Sequence, residues 1–280
     1  MTGGNSEQRD FWSDAAGPKW VEMQVQMDQL MQPVLDALWS RAGLQPGQNV
    51  LDVGSGTGAS TLQAAHLVAP GGTVTGADIS DSMTALARTR TADHDGVSLL
   101  LADVAEHRFP PAGFDAVISR FGVMFFADSD AAFANIRASM VPGAQLCFAA
   151  WAQIPDNPWF TLAASVAKPI TGAPPRPDPD APGPFAFRNP ERVHGHLTAG
   201  GFSDIRIETA DVLLDGGDDP RVLAETMCRI GPAEVALRFA EADTRTERAV
   251  CDALATALDA YTTPQGLRIP ASIHFVTARA

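Results

Sequence analysis

From residue 49 onward, apolar runs of about five residues alternate with segments whose apolar positions recur at helical spacing. That alternation is the βαβ signature of a mainly parallel sheet covered by helices. The runs predict strands near 49–53, 73–78, 97–101, 114–119 and 144–151, and the segments between them predict helices near 58–69, 81–92 and 129–140. Ser80 and Asp128 stand where N-caps belong, and Pro142-Gly143 reads as the stop of the third helix. Ahead of this core, Pro18 opens a helical pattern through Trp20, Val21, Met23 and Met27. Pro33 begins a second one, Val34 to Trp39, closed near Gly43, so two short helices are expected before the sheet.

After Trp151 the texture changes to PDNPWF and then APPRPDPDAPGPFAFRNP, between residues 153 and 190. A structureless stretch of that length inside a compact domain marks a lid, a binding loop or a linker, and proline makes it stiff. Glu191 to Ala199 then reads as a helix stopped by Gly200-Gly201, followed by a strand near 203–213. Helical segments over 220–239 and 244–260 and a last strand, Ser272 to Thr277, complete the pattern. The absence of any 20- to 50-residue period excludes a solenoid or a propeller.

Composition narrows the function classes. With 280 residues, 45% hydrophobic and 19% charged, the chain can bury a sizeable core and is neither disordered nor fibrous. The 20 basic and 33 acidic residues give a net charge of −13, which repels phosphate backbones and anionic lipids. Nucleic acid and membrane surfaces are therefore not expected as primary partners, and the protein is expected to be a monomer or homodimer. Cys147, Cys228 and Cys251 are odd in number and lack metal-ligand spacing, which indicates a reducing, cytoplasmic setting and no structural metal. The opening MTGGNSEQRDFW has no apolar segment behind a basic start, in keeping with that setting.

The chemistry concentrates in Val50-Leu51-Asp52-Val53-Gly54-Ser55-Gly56-Thr57-Gly58-Ala59. A strand running through alternating glycines into a helix lets backbone approach a ligand closely and bares N–H groups at a helix N-terminus. Dinucleotide folds use G-x-G-x-x-G or A, and Gly54, Gly56 and Ala59 satisfy that pattern too. Asp52 tips the balance, because a carboxylate two residues before the first glycine repels a pyrophosphate and attracts a cation such as the α-ammonium of S-adenosylmethionine. Asp78, 20 residues beyond Gly58 at the end of the second strand, suits ribose hydroxyls in either class.

These residues resemble motif I of class I S-adenosylmethionine-dependent methyltransferases. The likeness continues through Asp78-Ile79-Ser80 and Met83, Leu101-Ala102-Asp103-Val104, Phe114-Asp115-Ala116-Val117-Ile118-Ser119-Arg120-Phe121-Gly122 and Met140-Val141-Pro142-Gly143-Ala144. It is nearest the ubiquinone/menaquinone-biosynthesis-like small-molecule group and covers roughly residues 45 to 152, with Ala144 standing where that family commonly repeats glycine.

The resemblance implies an α/β fold: a Rossmann-like seven-stranded sheet, mostly parallel with an antiparallel last strand, and helices on both faces. It further implies S-adenosylmethionine as cofactor and methyl transfer to an oxygen, nitrogen or carbon nucleophile of a small-molecule substrate. Asp52 would sit near the methionine ammonium, with Gly54, Ser55, Gly56, Thr57 and Gly58 forming the turn around the ligand. Asp78 would take the ribose hydroxyls, while Ile79 and Met83 would pack on the adenine. Asp103, flanked by Ala102 and Val104, would meet the exocyclic amine. Ser119, Arg120 and Phe121 would lie beside the sulfonium, Arg120 either positioning an anionic acceptor or closing a structural ion pair.

The organisation that follows is an N-terminal helical cap over 1–44, a cofactor-binding core over 45–152, a Pro-rich lid over 153–190, and a closing segment, 191–280, with a helical insertion at 215–262. Aromatics outside the regular pattern are candidates to wall off a pocket: Trp20 toward the cofactor, and Trp151, Trp159 and Phe185 toward the acceptor. No general base is legible: His66 and His107 lack partner spacing, His194 and His196 lie on a predicted outer helix where a solvated role is expected, and His274 lies in the last strand where packing is expected. Two other readings use the same turn: an NAD(P)-dependent oxidoreductase, disfavoured by the lone Tyr261 without a lysine four residues on, and a non-catalytic cofactor-binding module.

Overall fold

The computed structural model describes residues 5–175 and 178–280. Five strands, β1 (Asn49–Val53), β2 (Thr73–Asp78), β3 (Val97–Leu101), β4 (Phe114–Arg120) and β5 (Met140–Trp151), run parallel. After them come β6 (Ser203–Asp215), the two-residue β7 (Thr262–Thr263) and β8 (Gly266–Arg279). The principal order is β3-β2-β1-β4-β5-β8-β6, with β8 antiparallel to both neighbours and β7 pairing β8 off this path. The sheet is thus the expected seven-stranded one, with β7 as a small addition.

Strand β1 lies between β2 and β4 and buries Val50, Leu51, Asp52 and Val53, which explains its unbroken apolar reading. Strand order reverses there, so the chain leaves the ends of β1 and β4 in opposite directions and opens a crevice at the C-terminal edge. Helices α4 (Ala59–Val68), α5 (Asp81–Arg90) and α6 (Ser129–Ala138) follow β1, β2 and β4. The Ser80 hydroxyl caps α5 by accepting from Met83 N, and the Asp128 carboxylate caps α6 by accepting from Ala131 N. Helix α6 ends at Ala138, ahead of Pro142-Gly143, and β5 already begins at Met140.

Three expectations need correction. The N-terminal region is not two helices divided at Pro33. Its elements are α1 (Ser6–Asp10), a π-helical turn over Phe11–Ala16, α2 (Gly17–Glu22), and α3 (Gln24–Ala42), which runs straight through Pro33. An interior proline costs about 3 kcal/mol. Burying Met27, Leu30, Met31, Val34, Leu35 and Leu38 against β4, β5, β6 and β8, at roughly 1.5–3 kcal/mol each, outweighs that.

The Pro-rich stretch is not structureless either. Pro158, at a position where its missing N–H costs nothing, starts the 14-residue helix α7 (Pro158–Thr171). The turns after it are tied down by Gly183 N donating to Met124 O and by the Arg188 guanidinium donating to Asp180. Finally, β8 is far longer than 272–277. Pro270 lies beyond Ile273, where the pairing with β5 ends, so β8 has only β6 beside it and tolerates the lost N–H. Helix α8 (Pro190–Ala199) precedes β6, and α9 (Pro220–Arg229), α10 (Pro232–Phe239) and α11 (Thr244–Leu258) form the insertion between β6 and β8.

Candidate cofactor-binding site

The glycine turn is built by contact, not only by conformation. Gly54 has φ +69, and a Cβ there would sit 2.6 Å from the Gly122 Cα. A Cβ on Gly122 would in turn lie 2.5 Å from the Val53 carbonyl oxygen. The loops leaving β1 and β4 therefore cross glycine on glycine, a spacing that no side chain permits. Gly56 also has positive φ, but a Cβ there meets nothing within 4 Å, so its surface is left open toward a ligand. Gly58 caps α4 at φ +91, and Ser55 and Thr57 are buried between these glycines.

Three buried carboxylates follow the ends of β1, β2 and β3. Asp52 is fully enclosed in β1; its Oδ2 accepts from the Ser60 and Thr61 hydroxyls at 2.6 and 2.7 Å, while Oδ1 has no partner among the described residues. Burial raises its pKa, opposed by those two hydroxyls and by the Arg120 charge. Asp78 takes Ser80 N on Oδ1 and Gly56 N on Oδ2, both at 2.8 Å. Burial, aided by the Asp52 charge, nonetheless pushes Asp78 up to about 6. Asp103, just beyond β3, accepts Ala105 N and the Asn5 amide on Oδ1, each at 2.9 Å, and its buried Oδ2 is unpartnered among the described residues.

Beside this row, Met83 and Val104 are buried, Ile79 and Ala102 are half-buried, and Ala102 N donates to the Asp78 carbonyl. At the end of β4, the Ser119 hydroxyl donates to Val53 O at 2.7 Å and accepts from Gly122 N, so it fastens the crossing loops. Arg120 is half-buried with Nη1 enclosed and unpartnered; burial lowers its proton affinity against the nearby charges of Asp28 and Asp52. Phe121 adopts φ +70 and stacks on Trp151 at 4.7 Å with ring planes 3° apart. That stack continues edge-on to Phe160 and from there to Phe185.

Trp159 is not in this row, since its indole faces Gly231 in the helical insertion. Trp20 meets Trp12 edge-on, and Trp12 in turn meets Phe125, just past β4. The Ser80 hydroxyl donates to the Trp12 carbonyl, and Ser80 N donates to Asp78, which joins this N-terminal cluster to the end of β2. The histidines hold structure: His196 lies 2.6 Å from Asp130, and His274 is sandwiched between Thr209 and the Arg188 carbonyl.

Several residues here carry no sequence signal. Ser60, Thr61 and Asn5 reach the carboxylates from other elements. Arg90 binds both the Thr57 carbonyl and Asp28, clamping the glycine turn to α3. Gly122 belongs to the fourth motif, and its tight fit against Gly54 gives that glycine its purpose.

Unpaired acceptors on Asp52 and Asp103, spare lone pairs on Asp78 and an open glycine surface ask for a ligand that donates an ammonium, ribose hydroxyls and an exocyclic amine. The arrangement is similar to that of class I S-adenosylmethionine-dependent methyltransferases, and S-adenosylmethionine fits these residues. Residues 50–143 match the family model of the methyltransferase domain.

Among curated proteins, the chain is similar to the ubiquinone/menaquinone biosynthesis C-methyltransferase of Hahella chejuensis, 32% identical over 159 residues, covering 52% of this chain and 64% of that protein. Its counterpart from Shewanella oneidensis is 34% identical over 128 residues, 43% of this chain and 51% of that protein. The chain thus spans less than two thirds of the length of either relative. The fold is shared with the phosphoethanolamine N-methyltransferase 2 of Haemonchus contortus in complex with S-adenosyl-L-methionine, at TM-score 0.59 and 21% identity over 97% of this chain and 59% of that one. A methyltransferase from Aquifex aeolicus, described as S-adenosylmethionine-dependent, gives TM-score 0.52 and 18% identity over 71% of this chain and 93% of that one. The span matched by the family model contains the glycine turn and all three carboxylates. Among the described residues no helix is long and apolar enough to cross a membrane.

Proposed function

We propose that this chain transfers the methyl group of S-adenosylmethionine to an oxygen, nitrogen or carbon nucleophile of a small-molecule acceptor by in-line displacement. The observation that carries the reading is the row of buried carboxylates, Asp52, Asp78 and Asp103, with oxygens left for a ligand's donors at the reversal of strand order. When bound, the cofactor supplies a methyl carbon made electrophilic by its sulfonium.

The chain's task is then placement. Asp52 holds the ammonium end, Asp78 the ribose and Asp103 the base, which fixes the methyl group at the end of β4. Holding nucleophile and methyl carbon in line would supply roughly 7–11 kcal/mol of barrier reduction. A phenol or carboxylic acid can give its proton to solvent before transfer and an amine after it, whereas a carbon nucleophile must pass its displaced proton to a base. The stacked Phe121 and Trp151, continued by Phe160 and Phe185, supply a dry aromatic wall on the acceptor side. Arg120 Nη1, at the end of β4, is an enclosed cationic donor with no partner among the described residues, suited to an anionic group of the acceptor. The N-terminal cap, the 153–190 segment and the helical insertion together form the cover of this acceptor space.

Calorimetry with S-adenosylhomocysteine tests the cofactor assignment. Binding in the micromolar range is expected, and no heat up to millimolar concentration would overturn it. Transfer of labelled methyl to a panel of phenols, carboxylated aromatics and amines then reads the acceptor class; preference for anionic rings, lost in Arg120→Met, is the expected outcome.

A further inference from the structure

Asn5 is far from every motif, yet it is 6% exposed and reaches 98 residues along the chain. Its Nδ2 donates to Asp103 Oδ1 at 2.9 Å, and its Oδ1 accepts from Ala127 N at 2.7 Å. Because one partner only accepts and the other only donates, the orientation of the amide is fixed by chemistry. Asn5 also stands at the N-cap position of α1, where an asparagine ordinarily serves its own helix, but its side chain makes no capping bond. The side chain is spent on Asp103 and Ala127 instead.

The consequence falls on Asp103. Ala105 N and Asn5 Nδ2 both converge on Oδ1, so the carboxylate cannot rotate without losing two bonds, and Oδ2 is buried with no partner among the described residues. We propose that Asn5 is a positioning residue for nucleobase recognition: it locks Asp103 so that Oδ2 alone faces the exocyclic amine of an adenine ring, and it brings the N-terminal segment into the cofactor site. This inference rests on the cofactor reading above. It couples α1 and the π-helical turn to the adenine pocket, since the Asn5 contacts and the Ser80–Trp12 bond fasten them there, so an occupied pocket should steady this segment.

The test compares S-adenosylhomocysteine with S-inosylhomocysteine, in which a carbonyl replaces the amine, by calorimetry on the full-length protein and its Asn5→Ala variant. A site that hydrogen-bonds a donor strongly rejects an analogue lacking it. The wild type is expected to favour the adenosyl ligand by more than about tenfold, and Asn5→Ala to lose about tenfold in adenosyl affinity with less than about twofold change for the inosyl one. Equal loss for both ligands would reduce Asn5 to a structural peg and overturn the proposal, as would no change for either. Failure of the wild type to bind the adenosyl ligand would instead overturn the cofactor reading. Limited proteolysis gives an independent readout: S-adenosylhomocysteine should slow cleavage within residues 5–22 of the wild type and not of Asn5→Ala, and equal protection of both would count against the coupling.

Discussion

The core around β1 and the cover made by the N-terminal segment and helices α7 and α9–α11 are held together by different physics. In the core, Leu51, Val74, Val117, Ile118 and Leu146 are completely buried, and the two loops meet with no room for a Cβ. The helices of the cover pack on one another through buried Trp159, Leu223, Leu254 and Leu258, but α2 is joined to them by ion pairs on partly exposed side chains, Lys19 with Glu234 and Glu22 with Arg229. Exposed pairs of that kind are worth about 0–1 kcal/mol each. A rigid floor thus carries the cofactor chemistry, and α2 is only loosely fastened to the helical insertion, so changes to the floor should cost both folding and binding while changes to those ion pairs should cost little stability.

The sharpest way to break this contrast is Gly54→Ala. A methyl group 2.6 Å from Gly122 Cα at a positive-φ position should destabilise the protein by about 2–4 kcal/mol and abolish S-adenosylhomocysteine binding. Thermal denaturation and calorimetry read both, and a variant that folds and binds normally would remove the crossing of the loops from the account.

Asp52→Asn comes next. Burial opposes the Asp52 charge, so neutralising it should leave the melting temperature equal or higher while ligand affinity falls about 100-fold. Loss of stability with intact affinity would reverse the assignment of Asp52 from ligand contact to scaffold.

Asp78 gives the floor a pH signature. A carboxyl group raised to about 6 in the folded chain favours the protonated form, so its contribution to stability is full below the ordinary carboxylate range and is lost as pH rises through about 6. Ligand binding has the opposite sign, because ribose hydroxyls donate to the ionised form. Affinity for S-adenosylhomocysteine should therefore climb about tenfold from pH 5 to pH 7 and then level off, with proton release on binding near pH 6. Titrations in buffers of different ionisation enthalpy measure that release; a flat profile would place the ribose elsewhere. The smallest effect is expected in the cover: a double-mutant cycle on Glu22→Ala and Arg229→Ala should give a coupling of about 0–1 kcal/mol. A larger value would make the cover as firmly fastened as the floor.

The same contrast governs what the sequence discloses. The glycine turn and the three aspartates are legible because backbone geometry and charge leave few residue types at those positions, and β1, β2 and β3 follow the predicted bounds because their runs are buried on both faces or set between turns. The cover is legible only in outline. Pro33 and Pro158 read as breaks or loop markers, whereas packing carries α3 through the first and the second starts α7. Asn5, Ser60, Thr61 and Arg90 matter through partners that come together only when the fold closes, and no spacing along the chain encodes that.

The antiparallel pairing of β6 with β8 has a consequence for how such a chain diversifies. Asp215 pairs with Arg268 in register and through a 2.6 Å ion pair, so the chain departs for α9–α11 and returns at neighbouring points on one rung of the ladder. An excursion anchored this way can lengthen or be exchanged with little penalty, because closure entropy grows only logarithmically, by about 0.6 kcal/mol per doubling. The hairpin is a socket: one sheet can accept successive helical plug-ins over its acceptor face while the strands that hold the cofactor stay as they are.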